Sequence, residues 1–113
     1  MSHDRLHTGT TIQLDVSALR KNLRFLRSFL GPSCVFSSVI KGNAYGHGIE
    51  TFVPMAETCG VRHFSVFTAG EALRAVRSLT EDSSVMIMGY IADEEVEWAV
   101  EKGVSFYVFE VGR

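Results

Sequence analysis

From Thr10 to Val16 the chain alternates polar and apolar residues, TTIQLDV, as a half-buried strand does, and Ser17 follows it as a good N-cap. From Ala18 to Leu30 the apolar positions Leu19, Leu23, Leu26 and Leu30 recur at helical spacing with Arg and Lys between them, and Gly31-Pro32 stops the run. This pattern predicts an amphipathic helix. A repeating alternation comes next. An apolar run, Val35 to Ile40, leads into a Gly-rich turn and a helical stretch from about Ile49 to Thr58 that closes before Gly60. A strand over His63 to Phe67 is followed by a helix over Gly70 to Leu79, with Leu73, Val76 and the Glu71/Ala75 spacing on its faces. Val85 to Met88 forms a third strand of this series. Asp93 caps a helix through Lys102 striped by Val96 and Val100, and Val104 to Phe109 forms the last strand.

Strands that alternate with helices in this way imply βαβ crossovers and a parallel sheet, and near-continuous apolar runs fit strands covered on both faces. The fold class is therefore α/β. A flavodoxin-like open sheet and a (β/α)₈ barrel of the TIM type both begin like this. A complete barrel takes about 250 residues, so on the barrel reading these 113 residues hold about the first half of it.

Composition narrows the function classes. With 46% apolar and 21% charged residues and eight Phe, the chain has the profile of a globular domain rather than a disordered one. A net charge of −2, with acids and bases mixed along the chain, offers no basic stripe to a phosphate backbone, so nucleic acid is not an expected partner. No apolar run approaches the roughly 20 residues that span a bilayer, and the opening MSHDRLHTGTT lacks the apolar core of a signal peptide. A cytoplasmic protein without a membrane partner is expected, with residues 1–9 disordered. Cys34 and Cys59 lack the spacing of a metal knuckle or redox pair and are expected to be buried thiols. His3, His7, His47 and His63 are scattered, so no metal site is expected.

The segment with chemical content is Val39-Ile40-Lys41-Gly42-Asn43-Ala44-Tyr45-Gly46-His47-Gly48, at the C-terminal end of an apolar strand, where parallel α/β proteins carry their sites. A Lys there can point into a barrel interior or crevice, where desolvation favours the neutral amine, a nucleophile toward carbonyls. The glycines let the backbone take positive φ and approach a ligand. Taken alone, the same residues also fit a solvated lysine on an ordinary turn. His47 then reads as a helix-start or packing residue and Asn43 as a partner for turn amides. Asp93, Glu94, Glu95 and Glu97 read as a solvated first turn, and Met86 and Met88 as core.

The run VIKGNAYGHG resembles the cofactor-lysine signature of the alanine racemase family, with Gly42 where that signature usually has Ala. TTIQLDVSALRKNLRFLR resembles the family's opening strand and helix, and FSVFTAGEALRAVR and VMIMGYI its next helix region and third strand, so the likeness runs from about Thr10 to Phe109. It implies a pyridoxal 5'-phosphate barrel domain over residues 10–113, the N-terminal part of a racemase that interconverts L- and D-alanine. On the matching positions, Lys41 would hold the cofactor and act as one of two catalytic bases. Tyr45 would hydrogen-bond the cofactor phosphate, and Met88 or a neighbour would pack near its ring. Gly42 for Ala is expected to loosen the turn slightly.

The resemblance further implies a homodimer in the full-length form, with a second base, a Tyr, supplied by the partner subunit from a C-terminal β domain, and an Arg on the pyridine nitrogen. No segment of this chain matches either. The opening strand joins that β domain in the family, so here it is expected to lack a sheet, and a half-barrel with open edges is expected to be unstable, self-associated or the covered part of a longer gene product. Other readings share the motif: a broad-specificity or serine racemase, a basic-amino-acid decarboxylase, or a non-catalytic module that binds cofactor or partner. The Tyr-Gly-His-Gly continuation favours racemases over decarboxylases.

Overall fold

The computed structural model describes residues 9–112. The expected disorder of residues 1–9, and with it His3 and His7, falls outside that range apart from Gly9. The elements run α1 (Val16–Arg27), β1 (Ser38–Val39), α2 (Lys41–Tyr45), α3 (Ile49–Thr58), β2 (His63–Val66), α4 (Ala69–Ser78), β3 (Ser84–Ile87), α5 (Asp93–Glu101) and β4 (Ser105–Phe106). The strands form one parallel sheet in the order β1-β2-β3-β4. Every strand lies beside its neighbour in sequence. That order has no switch point, so it departs from the flavodoxin-like alternative and is the order of a barrel wall.

One face of this wall is closed by helices. Phe64 and Val66 of β2 pair in register with Val85 and Ile87 of β3, and all four lie buried with Ile40, Val53, Ala72 and Ala75 in a single core. Full burial of one such side chain is worth about 2 kcal/mol, so this face holds the sheet together. The other face, where the apolar runs predicted a second covering layer, stays open among the described residues: Val39, Phe67 and Tyr107 are exposed and Met86 is half-buried. The Cα radius of gyration, 16.3 Å, exceeds the roughly 13 Å of a closed domain of this length. The shape is that of a barrel wall covered on its outside.

Several boundaries depart from the sequence pattern, each for a local reason. Residues 10–15 form no strand, because no strand among the described residues lies beside them. Asp15, not Ser17, caps α1: its backbone is extended and its Oδ1 accepts from the Ala18 amide at 3.1 Å, so the helix starts earlier. It also ends earlier, at Arg27, and of its apolar stripe only Leu23 is buried. β1 and β4 are shorter than the runs Val35 to Ile40 and Val104 to Phe109, since Val35, Val108 and Phe109 stand in the open. Asp93 is the first residue of α5 rather than its cap; the preceding Ala92 amide donates to Glu95 Oε1 at 2.8 Å. In α5 the buried residue is Ala99, while Val100 is exposed. Of the two cysteines only Cys59 is buried; Cys34 is an exposed free thiol. No helix among the described residues is long and apolar enough to cross a membrane.

Buried charge is rare in so small a core, and Glu57 is the exception. Its carboxylate accepts from Thr80 N (2.8 Å), Thr80 Oγ1 (2.9 Å), Glu81 N (3.0 Å) and Ser83 Oγ (2.7 Å). Desolvation pushes this carboxyl upward, but the hydrogen bonds from Thr80, Ser83 and Glu81 together outweigh it and hold the group below its ordinary range. Glu57 thus staples the loop between α4 and β3 to α3.

Candidate active site

Ile40 closes β1, fully buried, and its amide donates to Ser65 O at 2.8 Å. The next residues turn sharply. Gly42, Asn43, Ala44 and Tyr45 all take left-handed backbone angles, with φ of 62°, 57°, 56° and 54°. A left-handed run of this kind costs roughly 1–2 kcal/mol for each residue with a Cβ. Within it, Ala44 N donates to Ile40 O at 2.9 Å and Gly46 N to Gly42 O at 3.0 Å. Gly46 and Gly48 then continue at φ of 90° and 93°, so all three glycines have the positive φ the sequence anticipates. At Gly42 the left-handed angle itself favours glycine. Open space surrounds the position of a Cβ there, and at its φ of 62° an Ala would carry the left-handed penalty that Gly avoids.

Three side chains hold this strained segment. Asn43 Oδ1 accepts from the Ile49 amide at 3.1 Å, which starts α3, and from Arg74 Nη2 at 2.5 Å. Arg74 also donates to both oxygens of Glu50, at 2.8 and 2.6 Å. The Arg74 hydrogen bond is the main cause that keeps the Glu50 carboxyl below its usual range, and the same bond raises Arg74 further. One turn earlier on α4, Glu71 Oε2 accepts from the Gly42 amide at 2.7 Å. Asn43 thus plays the turn-amide role read from the sequence.

The turn presents its side chains to an open cleft of about 380 Å³ lined by Lys41, Gly42, Tyr45, Phe67 and Glu71. Lys41 is exposed and makes no ion pair or side-chain hydrogen bond among the described residues, so the desolvation expected for it is not supplied here. Tyr45 is 64% exposed, its hydroxyl free to meet a ligand. Met88 is not part of this lining. It follows β3, half-buried, and its amide donates to Val66 O at 2.8 Å. His47 is exposed. The structure therefore brings Lys41 and Tyr45 together after β1 and leaves Met88 two strands further along the wall, after β3.

Phe67 and Glu71 complete the cleft and were not singled out by sequence reasoning. Glu71 had a readable signal, since Thr68-Ala-Gly-Glu71 is a capping-box spacing. Phe67 ends an apolar strand and looks like core until the open face is seen. Beside it the backbones meet closely: a Cβ on Gly89 would lie 2.4 Å from the Phe67 carbonyl oxygen.

Comparison with known proteins places this arrangement. The family profile described as "Alanine racemase, N-terminal domain" matches residues 14–113. Alanine racemase of Geobacillus kaustophilus is 32% identical over 106 residues, 94% of this chain and 27% of that protein. Alanine racemase of Listeria monocytogenes is 31% identical over 103 residues, 91% of this chain and 28% of that protein. The chain thus spans about a quarter of the length of the curated relatives it matches. Among solved structures, alanine racemase from Bartonella henselae with covalently bound pyridoxal phosphate superposes with a TM-score of 0.70 at 29% identity, covering 81% of this chain and 25% of that one. Alanine racemase from Oenococcus oeni gives a TM-score of 0.77 at 24% identity, over 86% and 26%, which bears on the fold alone.

Proposed function

Since the chain belongs to the alanine racemase family through its N-terminal domain, we propose that it contributes the cofactor lysine of a pyridoxal 5'-phosphate-dependent racemase that interconverts L- and D-alanine. The observation that carries this reading is the left-handed turn after β1, which sets the free Lys41 amine and the exposed Tyr45 hydroxyl on one open cleft. The donor set fits such a cofactor: a primary amine for its aldehyde, a phenol for its phosphate and the Phe67 ring as an apolar wall. Glu71 does not oppose an anion at full strength, because backbone amides at 2.7 and 2.8 Å already meet both its oxygens.

When bound, the cofactor supplies a conjugated ring that weakens the Cα–H bond of an attached amino acid. Lys41 would hold it and then take or return that proton at Nζ on one face. Tyr45 would donate from its hydroxyl to the phosphate, and Met88 would pack toward the ring from the third strand. Racemisation also needs an acid/base group on the opposite face. We assign that group to residues outside this chain, in a cytoplasmic homodimer where residues 10–113 form the first part of the barrel and a separate β domain completes the site.

A chiral assay tests the proposal. A protein in which residues 10–113 are joined to the remainder of the barrel and to the β domain is given pyridoxal 5'-phosphate with L-alanine or L-serine, beside its Lys41→Ala variant. D-alanine formed only with Lys41 present is the expected result. Faster D-serine formation would favour a serine or broad-specificity racemase. Stable cofactor capture at Lys41 without turnover would favour a binding module, and no dependence on Lys41 would contradict the reading.

A further inference from the structure

Glu71 occupies the third position of α4, where a carboxylate that reaches back to the start of its helix is ordinary capping. Its Oε1 does this, accepting from Phe67 N at 2.8 Å and Thr68 N at 3.3 Å, while Thr68 Oγ1 accepts from Glu71 N at 3.1 Å. Capping has no need of the second oxygen. Yet Oε2 reaches across to the Gly42 amide, 29 residues earlier, at 2.7 Å. That amide belongs to the peptide joining Lys41 to Gly42. One carboxylate therefore fixes the peptide that carries Lys41 against the end of β2 and the Phe67 wall of the same cleft.

We infer that Glu71 is a positioning residue for Lys41, holding the lysine peptide in the orientation that aims the amine across the cleft. This rests on the reading of Lys41 as the cofactor lysine. Arg74, three residues on and on the same side of α4, secures the far half of the turn through Asn43, so the helix grips the turn at two points. Gly42 makes the first grip necessary. With no Cβ it samples backbone angles freely, and Glu71 Oε2 is the side-chain acceptor that restricts its amide.

The alternative is that Glu71 is a helix cap and nothing more. Thr68→Ala separates the two, since it removes the other half of the capping box and leaves the Gly42 bond in place. In the full chain, amide exchange at Gly42 and the rate of borohydride-fixed labelling of Lys41 by pyridoxal 5'-phosphate are compared for wild type, Glu71→Ala, Glu71→Gln and Thr68→Ala. The expected result is exchange at Gly42 at least about tenfold faster, and Lys41 labelling slowed several-fold, in Glu71→Ala, with Thr68→Ala within about twofold of wild type in both. Glu71→Gln, which keeps one carbonyl acceptor, falls between them and serves if the Ala variant does not fold. Equal effects of Thr68→Ala and Glu71→Ala, or unchanged labelling once Gly42 is released, would overturn the inference. If the wild type gives no Lys41 adduct, the functional reading fails by itself, and the Gly42 exchange comparison still upholds or overturns the tie.

Discussion

Two strand-to-helix junctions sit side by side at the C-terminal edge of the sheet, and they are built in opposite ways. After β2 the chain enters α4 through an extended Thr68 whose side chain and Glu71 complete a capping box, with no residue forced into an unfavourable region. After β1 it enters a run of four left-handed residues, three of them bearing a Cβ, held from outside by Glu71, Arg74 and the start of α3. The relaxed junction supplies the supports and the strained one carries the amine. A strained segment persists only where its surroundings over-determine it, and here the surroundings are the first turns of the neighbouring helix. The lesson is that the reactive residue and the residues that hold it lie in different βα units.

Breaking the relaxed junction should have the largest effect. Gly89→Val would drive a side chain into the Phe67 carbonyl, where even a Cβ comes within 2.4 Å; a loss of about 3 kcal/mol in denaturant unfolding is expected, together with loss of the cleft wall. Glu57→Ala should cost about 2 kcal/mol, by removing the buried carboxylate that accepts from Thr80, Glu81 and Ser83 in part-buried hydrogen bonds. Glu57 is a carboxylate of the same design placed away from the cleft, so Lys41 labelling should persist at temperatures where the variant stays folded. Its pH signature has a definite sign. The folded-state pKa of Glu57 is depressed, so its contribution is full above the unfolded value of about 4.3 and is lost as pH falls through the lower folded value. Acid titration of stability should therefore flatten in Glu57→Gln.

Smaller effects belong to the strained junction itself. Asn43→Ala removes the acceptor for Ile49 N and Arg74 and puts Ala at φ 57°, with an expected cost of about 2 kcal/mol. Asn43→Gly should recover the conformational part and not the hydrogen bonds. Gly42→Ala meets no steric obstacle and should cost about 1 kcal/mol through backbone angle alone, measurable as a shift in the unfolding midpoint. Arg74→Gln should shift that midpoint least of all and do so more at low salt, because the Arg74–Glu50 pair lies on the surface.

The repeating βα pattern was legible because each strand is an apolar run ended by a turn, and the helix at Ile49–Thr58 was legible from its closure before Gly60. Strand lengths were not, because an apolar run reports the wish to be covered and not the presence of a partner: Val35 and Val108 have the residue type and lack the neighbour. Ser17 and Asp15 are both good caps two residues apart, and only the extended backbone at Asp15 decides between them. In the candidate site, Lys41 and Tyr45 were legible from the motif. The handedness of the turn was visible only as a cluster of glycines, since Ala44 and Tyr45 have no left-handed preference and Asn43 alone among the non-glycine residues visits that region readily. The bond from Gly42 to Glu71 spans two βα units, and no local spacing encodes it.

The turn after β1 sets one lysine apart from the others by placing it on the open cleft. The chain has three, Lys21, Lys41 and Lys102, which makes the test internally controlled: pyridoxal 5'-phosphate is added, the product is fixed with borohydride, and labelled peptides are mapped in wild type and Lys41→Ala. The label should concentrate on Lys41 and disappear in the variant. Label shared evenly among the three lysines, or persisting in Lys41→Ala, would mean that the turn does not single out Lys41.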